Sequence, residues 1–405
     1  MNTRRRLALV VLALPLLSYA YACSSDSSNL ATSDDAGGGP ETGGPEVDGS
    51  VPGTDSSMPE TDGSVPDAAD ASDGAVIPTC IGNPLTADGG TLDGGVDLDA
   101  AVTTQIVTVP AGVFLDGPQW LDANGGFLVF SEFDPTARLQ RVAADGGALG
   151  TFRDAGFSGA NGPVGNALRN GLVISAVDQK NATATPGFFL TAPDGGPAGI
   201  LSLGDAGSNS PNDLVAGPNG NVYFTDGQYQ FTGPGGVTGL YLLAPDGGVQ
   251  SIQQNFGRAN GIALSPDSTK LYVGIGPINA GDPDPKAVRV YDVSATGVVT
   301  APVSGTAFIA AADLVDVPDG IAVDVGGNLW IAEAAANGSA NGRVEVFSTA
   351  TKKKLGTIPF PGQRPTGVAF GGPDGKQLFI TTEASTSGGG SAGVFTYVSR
   401  CSGVK

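Results

Sequence analysis

Six pairs of residues recur along this chain, and each places a small polar side chain beside Gly or Asp. The chain has no His, which excludes a Ser-His-Asp triad and a His-based zinc site. What remains is oxygen chemistry, because carboxylate and amide oxygens are the ligands that a hard cation prefers, Ca²⁺ above all. The pairs are Asp116-Gly117, Asn161-Gly162, Asn212-Asp213, Asn260-Gly261, Asp319-Gly320 and Thr366-Gly367.

The same pairs mark a repeat. Between their second residues the steps are 45, 51, 48, 59 and 47 residues, a period typical of a propeller blade. Each pair opens a short apolar strand, which a turn of small or polar residues joins to a second apolar strand, as in residues 262–264, 267–268 and 271–273. No long stretch has the apolar period of an amphipathic helix. The sequence therefore predicts an all-β fold, a six-bladed β-propeller over residues 101–405.

A propeller would bring the polar members of these pairs together. The innermost strand of each blade begins near one mouth of a central channel, so the side chains that open those strands would face one another. Two carboxylates held close together raise each other's pKa, and a divalent ion removes that cost. For any single pair the simpler interpretation is an ordinary β-turn. The side chains expected at the channel mouth are Asp116, Asn161, Asn212, Asn260 and Asp319.

Charge is distributed unevenly along the 405 residues, whose formal net charge is -20. Residues 24–100 hold sixteen carboxylates and no Lys or Arg. This segment is rich in Ser, Gly, Pro and Thr, so it cannot bury enough apolar surface to fold, and we predict a disordered acidic linker. A nucleic-acid partner is not expected, because phosphate binding needs clusters of Lys and Arg.

The first 22 residues have the pattern of an export signal: Arg4, Arg5 and Arg6 precede an apolar run from Leu7 to Leu17. Cys23 follows directly and resembles the lipidated Cys of a bacterial lipoprotein signal, whereas Ala20-Tyr21-Ala22 also suits ordinary secretion. With lipid on Cys23, the protein would be exported and anchored to a bacterial membrane, at the outer membrane or the periplasmic face. The predicted domains are therefore a signal peptide (residues 1–22), a lipid-anchored disordered acidic linker (residues 23–100) and the propeller.

Lipidation of Cys23 would leave an even pair, Cys80 and Cys401. Strands at residues 106–109 and 394–398 could share the blade that closes the ring, and the two cysteines lie just outside them. We predict a disulfide between Cys80 and Cys401 that staples this closure. The alternative is two free thiols.

Several segments resemble the regucalcin/gluconolactonase family between about residues 105 and 399. The similar motifs are Leu115-Asp116-Gly117-Pro118-Gln119-Trp120, Ser210-Pro211-Asn212-Asp213, residues 260–267 from Asn260-Gly261 to Pro266-Asp267, and residues 318–324 around Asp319-Gly320. The resemblance implies a six-bladed propeller with one divalent metal in its channel, Ca²⁺ being the first expectation and Zn²⁺ or Mg²⁺ the alternatives. Family members hydrolyse sugar lactones, and their relatives act on other esters.

Residue by residue, the resemblance implies that Asp116, Asn260, Asp319 and Asn212 bind the metal. Asp319 would also be catalytic, and Asn212, Asp213 and Asn161 would contact the substrate. Two positions depart from the family pattern. Asp116 stands where the family has Glu, one methylene longer, and Ser210 stands where some members have Arg, which removes an expected cation from the substrate pocket.

The resulting expectation is a monomeric metal-dependent hydrolase that acts on a small-molecule lactone or ester. The metal would polarise the carbonyl, and Asp319 or metal-bound water would attack it. The alternative is a non-catalytic, surface-anchored propeller that binds a sugar, a peptide or a protein, since a fold alone does not specify a function.

Overall fold

In this computed structural model, the described residues are 103–154, 156–157, 161–179, 185–229, 236–277, 286–300, 307–334, 341–384, 391–399 and 401–404. The predicted signal peptide and linker, with Cys23 and Cys80, lie outside them, so these assignments stay predictions. Cys401 is disulfide-bonded, and its pairing with Cys80 also stays a prediction. Within the described ranges, no helix has the length and apolar character needed to cross a membrane.

Regular structure in the described part of the chain consists of 24 β-strands and two short 3₁₀ helices, Ala123–Gly125 and Pro218–Gly220. The strands of the first half are β1 (Thr104–Val109), β2 (Phe114–Leu121), β3 (Phe127–Asp134), β4 (Arg138–Ala143), β5 (Gly146–Arg153), β6 (Asn161–Arg169), β7 (Leu172–Gln179), β8 (Gly187–Thr191), β9 (Pro197–Ser202), β10 (Pro211–Ala216), β11 (Val222–Asp226) and β12 (Gly239–Leu243). Those of the second half are β13 (Val249–Gln254), β14 (Arg258–Leu264), β15 (Lys270–Gly276), β16 (Ala287–Val293), β17 (Val299–Thr300), β18 (Val317–Val323), β19 (Asn328–Ala334), β20 (Asn341–Ser348), β21 (Lys354–Pro361), β22 (Gln363–Gly371), β23 (Gln377–Ala384) and β24 (Ala392–Val398).

These strands form six four-stranded sheets within the described residues, as predicted for a six-bladed propeller. Five sheets are simple antiparallel meanders, β2 to β5, β6 to β9, β10 to β13, β14 to β17 and β18 to β21. We number these sheets blades 1 to 5, and blade 6 has the order β22-β23-β24-β1. The strands β2, β6, β10, β14, β18 and β22 lie innermost and contact their neighbours around the ring.

Blade 6 closes the ring with strands from both ends of the fold. β1 pairs antiparallel with β24, with Val107 opposite Val394 and Val109 opposite Ala392. This confirms the prediction that residues 106–109 and 394–398 share a blade. Closure of this kind leaves no long unpaired strand between the two ends of the propeller.

The hydrophobic core lies between neighbouring blades. Six buried clusters occur in the described residues, one at each interface between adjacent sheets. Between blades 5 and 6, for example, Trp330 and Val344 pack with Leu378 and Phe395. Because both faces of each sheet are covered, the central strands are apolar on both sides, which explains the continuous apolar runs in the sequence.

Each innermost strand is bulged near its opening. Two residues stand out of register with β3, β7, β11, β15 and β19 in blades 1 to 5, and one residue does so in blade 6. The bulged residues include Gly117, Asn212-Asp213, Asn260-Gly261, Asp319-Gly320 and Thr366, which belong to the predicted pairs. A β-bulge re-aims side chains at this point of a strand.

In blade 2 the position of the bulge differs from the predicted repeat. Its bulge falls at Val164 and Gly165, not at Asn161-Gly162. The physical reason is the close approach of blade 3, since a Cβ on Gly165 would lie 2.5 Å from the carbonyl oxygen of Asn212. Gly162 is packed against the Phe133 ring. It must be small because of this contact, so the Asn161-Gly162 pair resembles the repeat motif without forming the bulge. With Gly165 in phase, the steps become 48, 48, 48, 59 and 47 residues.

Candidate active site

The bulges form a closed ring of tight contacts around the channel. A Cβ on Gly117 would lie 2.2 Å from the carbonyl oxygen of Val164, and one on Gly261 would lie 1.9 Å from that of Asp319. Gly367 approaches Pro118 and so joins blade 6 to blade 1. Real Cβ atoms cannot occupy such positions, so a Gly stands in or directly beside the bulge in five blades, namely Gly117, Gly165, Gly261, Gly320 and Gly367. Blade 3 has Asp213 there.

Side chains in or directly before the bulges of four blades meet in one cavity at the channel mouth. This mouth cavity has a volume of about 470 Å³, and the four predicted metal ligands all line it. The lining residues are Phe114, Asp116, Asn212, Tyr229, Arg258, Asn260, Gly276, Pro277, Val317, Pro318, Asp319, Ala334, Arg364 and Glu383. Side chains from four blades that are far apart in sequence thus line one cavity.

Two carboxyl groups of this cavity have pKa values raised above their usual range. Burial raises the pKa of Asp319 well above its usual value, and the negative charges of Asp116, Glu383 and Asp213 raise it further, while Arg364 lowers it. Burial likewise raises the pKa of Asp116, together with the charges of Asp213 and Glu383, against a hydrogen bond that the Gly117 amide donates to Asp116. Paired buried acids of this kind are costly unless a cation neutralises them.

The donor set fits a hard divalent cation. It offers carboxylate oxygens from Asp116 and Asp319 and amide oxygens from Asn212 and Asn260, with no sulfur or imidazole, and such oxygens suit Ca²⁺ or Mg²⁺. Among the described residues, no three His, Cys, Asp or Glu side chains form a metal-binding group by themselves. An ion here would therefore depend on the two Asn side chains to complete its coordination.

Two predicted substrate contacts are placed differently. Asp213 lines a second cavity of about 270 Å³ on the opposite side of the ring of bulges, which we call the rear cavity. There it accepts hydrogen bonds from the amides of Leu214 and Ile262, and burial raises its pKa to about 7. Since Asp213 does not line the mouth cavity, the geometry does not support a substrate contact at the mouth. Asn161 begins β6, three residues before the bulge, and its side chain lies outside the described residues.

Arg258 and Tyr229 were not identified from the sequence. The Arg258 guanidinium lies 4.1 Å from the centre of the Tyr229 ring, and the Tyr229 hydroxyl donates to the Arg258 carbonyl at 2.8 Å. A signal for Arg258 exists, since it stands two residues before Asn260, the position at which Ser210 precedes Asn212. Tyr229 follows β11 in a loop, where no periodic pattern identifies it.

Acidic residues near the ends of second strands play a supporting role. The carboxylate of Asp226 accepts hydrogen bonds from the amides of Asn209 and Ser210 at 2.9 Å, just before β10. Glu333 accepts from the amides of Val315 and Asp316, the latter at 2.7 Å, just before β18. These carboxylates therefore hold the chain that leads into the strands of Asn212 and Asp319, whereas Glu383 lines the mouth cavity itself.

Fold and site together define a six-bladed propeller whose channel mouth is lined by oxygen donors. Comparison with known proteins agrees with this class. The family model described as "SMP-30/Gluconolactonase/LRE-like region" matches residues 116–384, and the chain belongs to this family. The family match begins at Asp116.

Two curated relatives have sugar-lactone names. A gluconolactonase from Zymomonas mobilis is 31% identical over 310 residues, covering 69% of this chain and 79% of the relative. A pentonolactonase from Haloferax volcanii is 31% identical over 187 residues, covering 45% of this chain and 56% of the relative. The chain thus spans most of the first relative and about half of the second.

Solved structures share the architecture. A gluconolactonase from Xanthomonas campestris superposes with a TM-score of 0.56 at 25% identity, covering 75% of this chain and 91% of that chain. A calcium-binding regucalcin from Agrobacterium tumefaciens gives a TM-score of 0.58 at 19% identity, covering 75% and 95%. At that identity, the second likeness shows the fold alone.

Proposed function

We propose that this protein is a divalent-metal-dependent hydrolase that opens the ring of a sugar lactone. The observation that carries the proposal is the convergence of Asp116, Asn212, Asn260 and Asp319 on one cavity. Membership of the family and the gluconolactonase and pentonolactonase relatives support the substrate class.

Asp116, Asp319, Asn212 and Asn260 would hold the cation. When bound, the ion would neutralise the two carboxylates and polarise the ester carbonyl as a Lewis acid. The oxygen-only donor set supports this assignment, with Ca²⁺ the first candidate and Zn²⁺ or Mg²⁺ the alternatives.

Proton transfer falls to Asp319 in this proposal. Its carboxylate accepts a proton from the attacking water, whose oxygen forms a bond to the carbonyl carbon. The bond between that carbon and the ring oxygen then breaks, and the ring oxygen leaves as a hydroxyl group that takes up the proton. The product is an open-chain hydroxy acid. Phe114 and Pro277 provide apolar wall on which the sugar ring can lie.

The test uses purified protein, D-glucono-1,5-lactone and Ca²⁺, with acid release as the readout. We expect turnover that a chelator abolishes and that Asp319→Asn reduces by about 10² to 10⁴ fold, the usual contribution of a general base. Asp292→Asn is the matched control, because Asp292 is exposed and pairs with Lys270 away from the cavity. Unchanged turnover in Asp319→Asn would contradict the proposal.

Metal binding has a separate readout. A cation that binds the folded state raises the melting temperature in a concentration-dependent way, and Asp116→Ala should remove most of the rise seen with Ca²⁺. Absence of both turnover and any metal-dependent shift would favour the alternative, a non-catalytic propeller that binds a sugar, peptide or protein.

A further inference from the structure

Two arginines occupy the same position of the repeat at the mouth cavity. Arg258 stands two residues before Asn260, and Arg364 stands two residues before Thr366. Both line the cavity, while blade 3 has Ser210 at this position. Blade 3 thus lacks a positively charged side chain at this position, and the arginines of blades 4 and 6 supply one instead.

The two arginines differ in how their charge is balanced. Arg364 lies directly opposite Glu383 in the β22–β23 register and forms an ion pair with it. Arg258 lies opposite Gly276 in the β14–β15 register, so no acidic side chain faces it across the strands. Among the ion pairs of the described residues, none includes Arg258.

Arg258 is nevertheless held firmly. Its Nε atom donates to the Gly227 carbonyl and an Nη2 hydrogen to the Gln228 carbonyl, both at 2.9 Å. The Tyr229 ring lies against the guanidinium at 4.1 Å. These contacts orient the group without neutralising it, and they leave the Nη1 hydrogens for other acceptors, because a guanidinium carries five N–H groups.

The charges of the cavity leave room for one negative group. Asp116, Asp319 and Glu383 oppose Arg258 and Arg364, and the divalent cation of the proposed function would change the balance from one net negative charge to one net positive charge. A substrate carrying a single carboxylate would bring the net charge of the cavity to zero. A phosphate, which carries nearly two negative charges at neutral pH, would leave the cavity with a net negative charge.

We infer that Arg258 selects lactones that carry a carboxylate outside the ring, such as the lactone of a sugar diacid. The inference rests on the proposed lactone hydrolysis and adds the substrate class. Arg258 would bind the carboxylate by charge-assisted hydrogen bonds, which are stronger than neutral ones. Its action is on binding, so it should affect KM more than kcat.

The experiment compares D-glucaro-1,4-lactone, which has a carboxylate, with neutral D-glucono-1,5-lactone on the purified protein with Ca²⁺. We expect kcat/KM to favour the carboxylate lactone, and Arg258→Met to abolish that preference through a rise in KM of about 10-fold or more. The loss of kcat/KM in Arg258→Met should be smaller on the neutral lactone than on the carboxylate lactone. Arg289→Met is the matched control, because Arg289 stacks on Phe256 at 5.3 Å and does not line the cavity.

A preference of the wild type for the neutral lactone, or an equal loss on both substrates in Arg258→Met, would overturn the inference. If neither lactone is hydrolysed, the proposed function fails, and binding then tests the anion site alone. In that case the carboxylate lactone should raise the melting temperature more than the neutral one, and Arg258→Met should remove the difference. Equal shifts with the two lactones in the wild type would overturn the anion site.

Discussion

The two cavities of the central channel share the same innermost strands, yet the mouth cavity is lined by both acids and arginines, whereas the rear cavity has Asp side chains and no Arg or Lys. The mouth cavity holds Asp116, Asp319 and both arginines. The rear cavity is lined by side chains such as Ile262, Leu264, Ile321 and Val368, with Asp213 at the ring of bulges.

The bulge is the physical origin of this difference. It lets consecutive residues serve opposite sides of the ring, as Asn212 and Asp213 do. Beyond the bulge each strand joins the apolar interfaces between blades, so its residues are chosen for packing. Chemistry is thus confined to one or two residues per blade, and the remainder of the strand provides a rigid support.

The largest effect is expected from a substitution in the ring of bulges that separates the two cavities. In Gly261→Ala, the new Cβ would lie 1.9 Å from the Asp319 carbonyl oxygen, which forces the backbone of blades 4 and 5 apart. We expect a loss of about 3 kcal/mol or more in the free energy of unfolding, together with loss of lactone turnover because Asp319 moves. Urea unfolding and an activity assay measure the two effects.

The matched control is Gly150→Ala in β5, where a Cβ would meet only the Arg141 side chain at 3.6 Å or more. Its unfolding free energy should change by about 0.5 kcal/mol or less. If Gly261→Ala were as stable and active as Gly150→Ala, the ring of bulges would not be what separates the two cavities.

A second prediction concerns the buried acids on the mouth side. Burial raises the pKa of Glu333 from its ordinary value of 4.5 to about 8, and the nearby carboxylate of Glu345 adds to the rise, against Arg343 and the amide of Asp316. Between these two pH values, folded Glu333 keeps a proton that the unfolded chain has lost. Stability must therefore fall as pH rises through this window, by up to about 1.4 kcal/mol per pH unit.

Glu333→Gln tests that sign, since Gln does not titrate and its oxygen can still accept a backbone hydrogen bond. Relative to wild type, the variant should gain stability steadily from about pH 5 to about pH 8 and no further above it. Chemical unfolding at a series of pH values provides the measurement. A stability difference that does not depend on pH would show that Glu333 is ionised in the folded protein.

The smallest expected effect belongs to the rear cavity. Ile321→Val removes one methyl group from a buried residue that lines it. We expect a cost of about 0.5 to 1.5 kcal/mol in stability and turnover within about twofold of wild type, measured on the same preparations. A large loss of turnover would mean that the rear cavity takes part in the reaction, and the contrast between the two sides would need revision.

Much of the fold and part of the site could be predicted from the sequence. The six-bladed propeller and the pairing of β1 with β24 are confirmed, because strand periodicity and turn chemistry are local signals. The convergence of Asp116, Asn212, Asn260 and Asp319 followed from the repeat alone. Asn161 was placed in the wrong phase because Gly162 is small to accommodate Phe133, whereas Gly165 makes the contact that defines the bulge.

The sequence by itself determined the oxygen-only chemistry, through the absence of His, and the period that brings one residue per blade to the channel. Only the tertiary structure decided which side of the ring each residue serves, since a shift of one residue at a bulge sends Asn212 and Asp213 to different cavities. Likewise, Arg258 and Arg364 occupy the same position of the repeat, and the residue across the strand, Gly276 or Glu383, determines which charge is balanced.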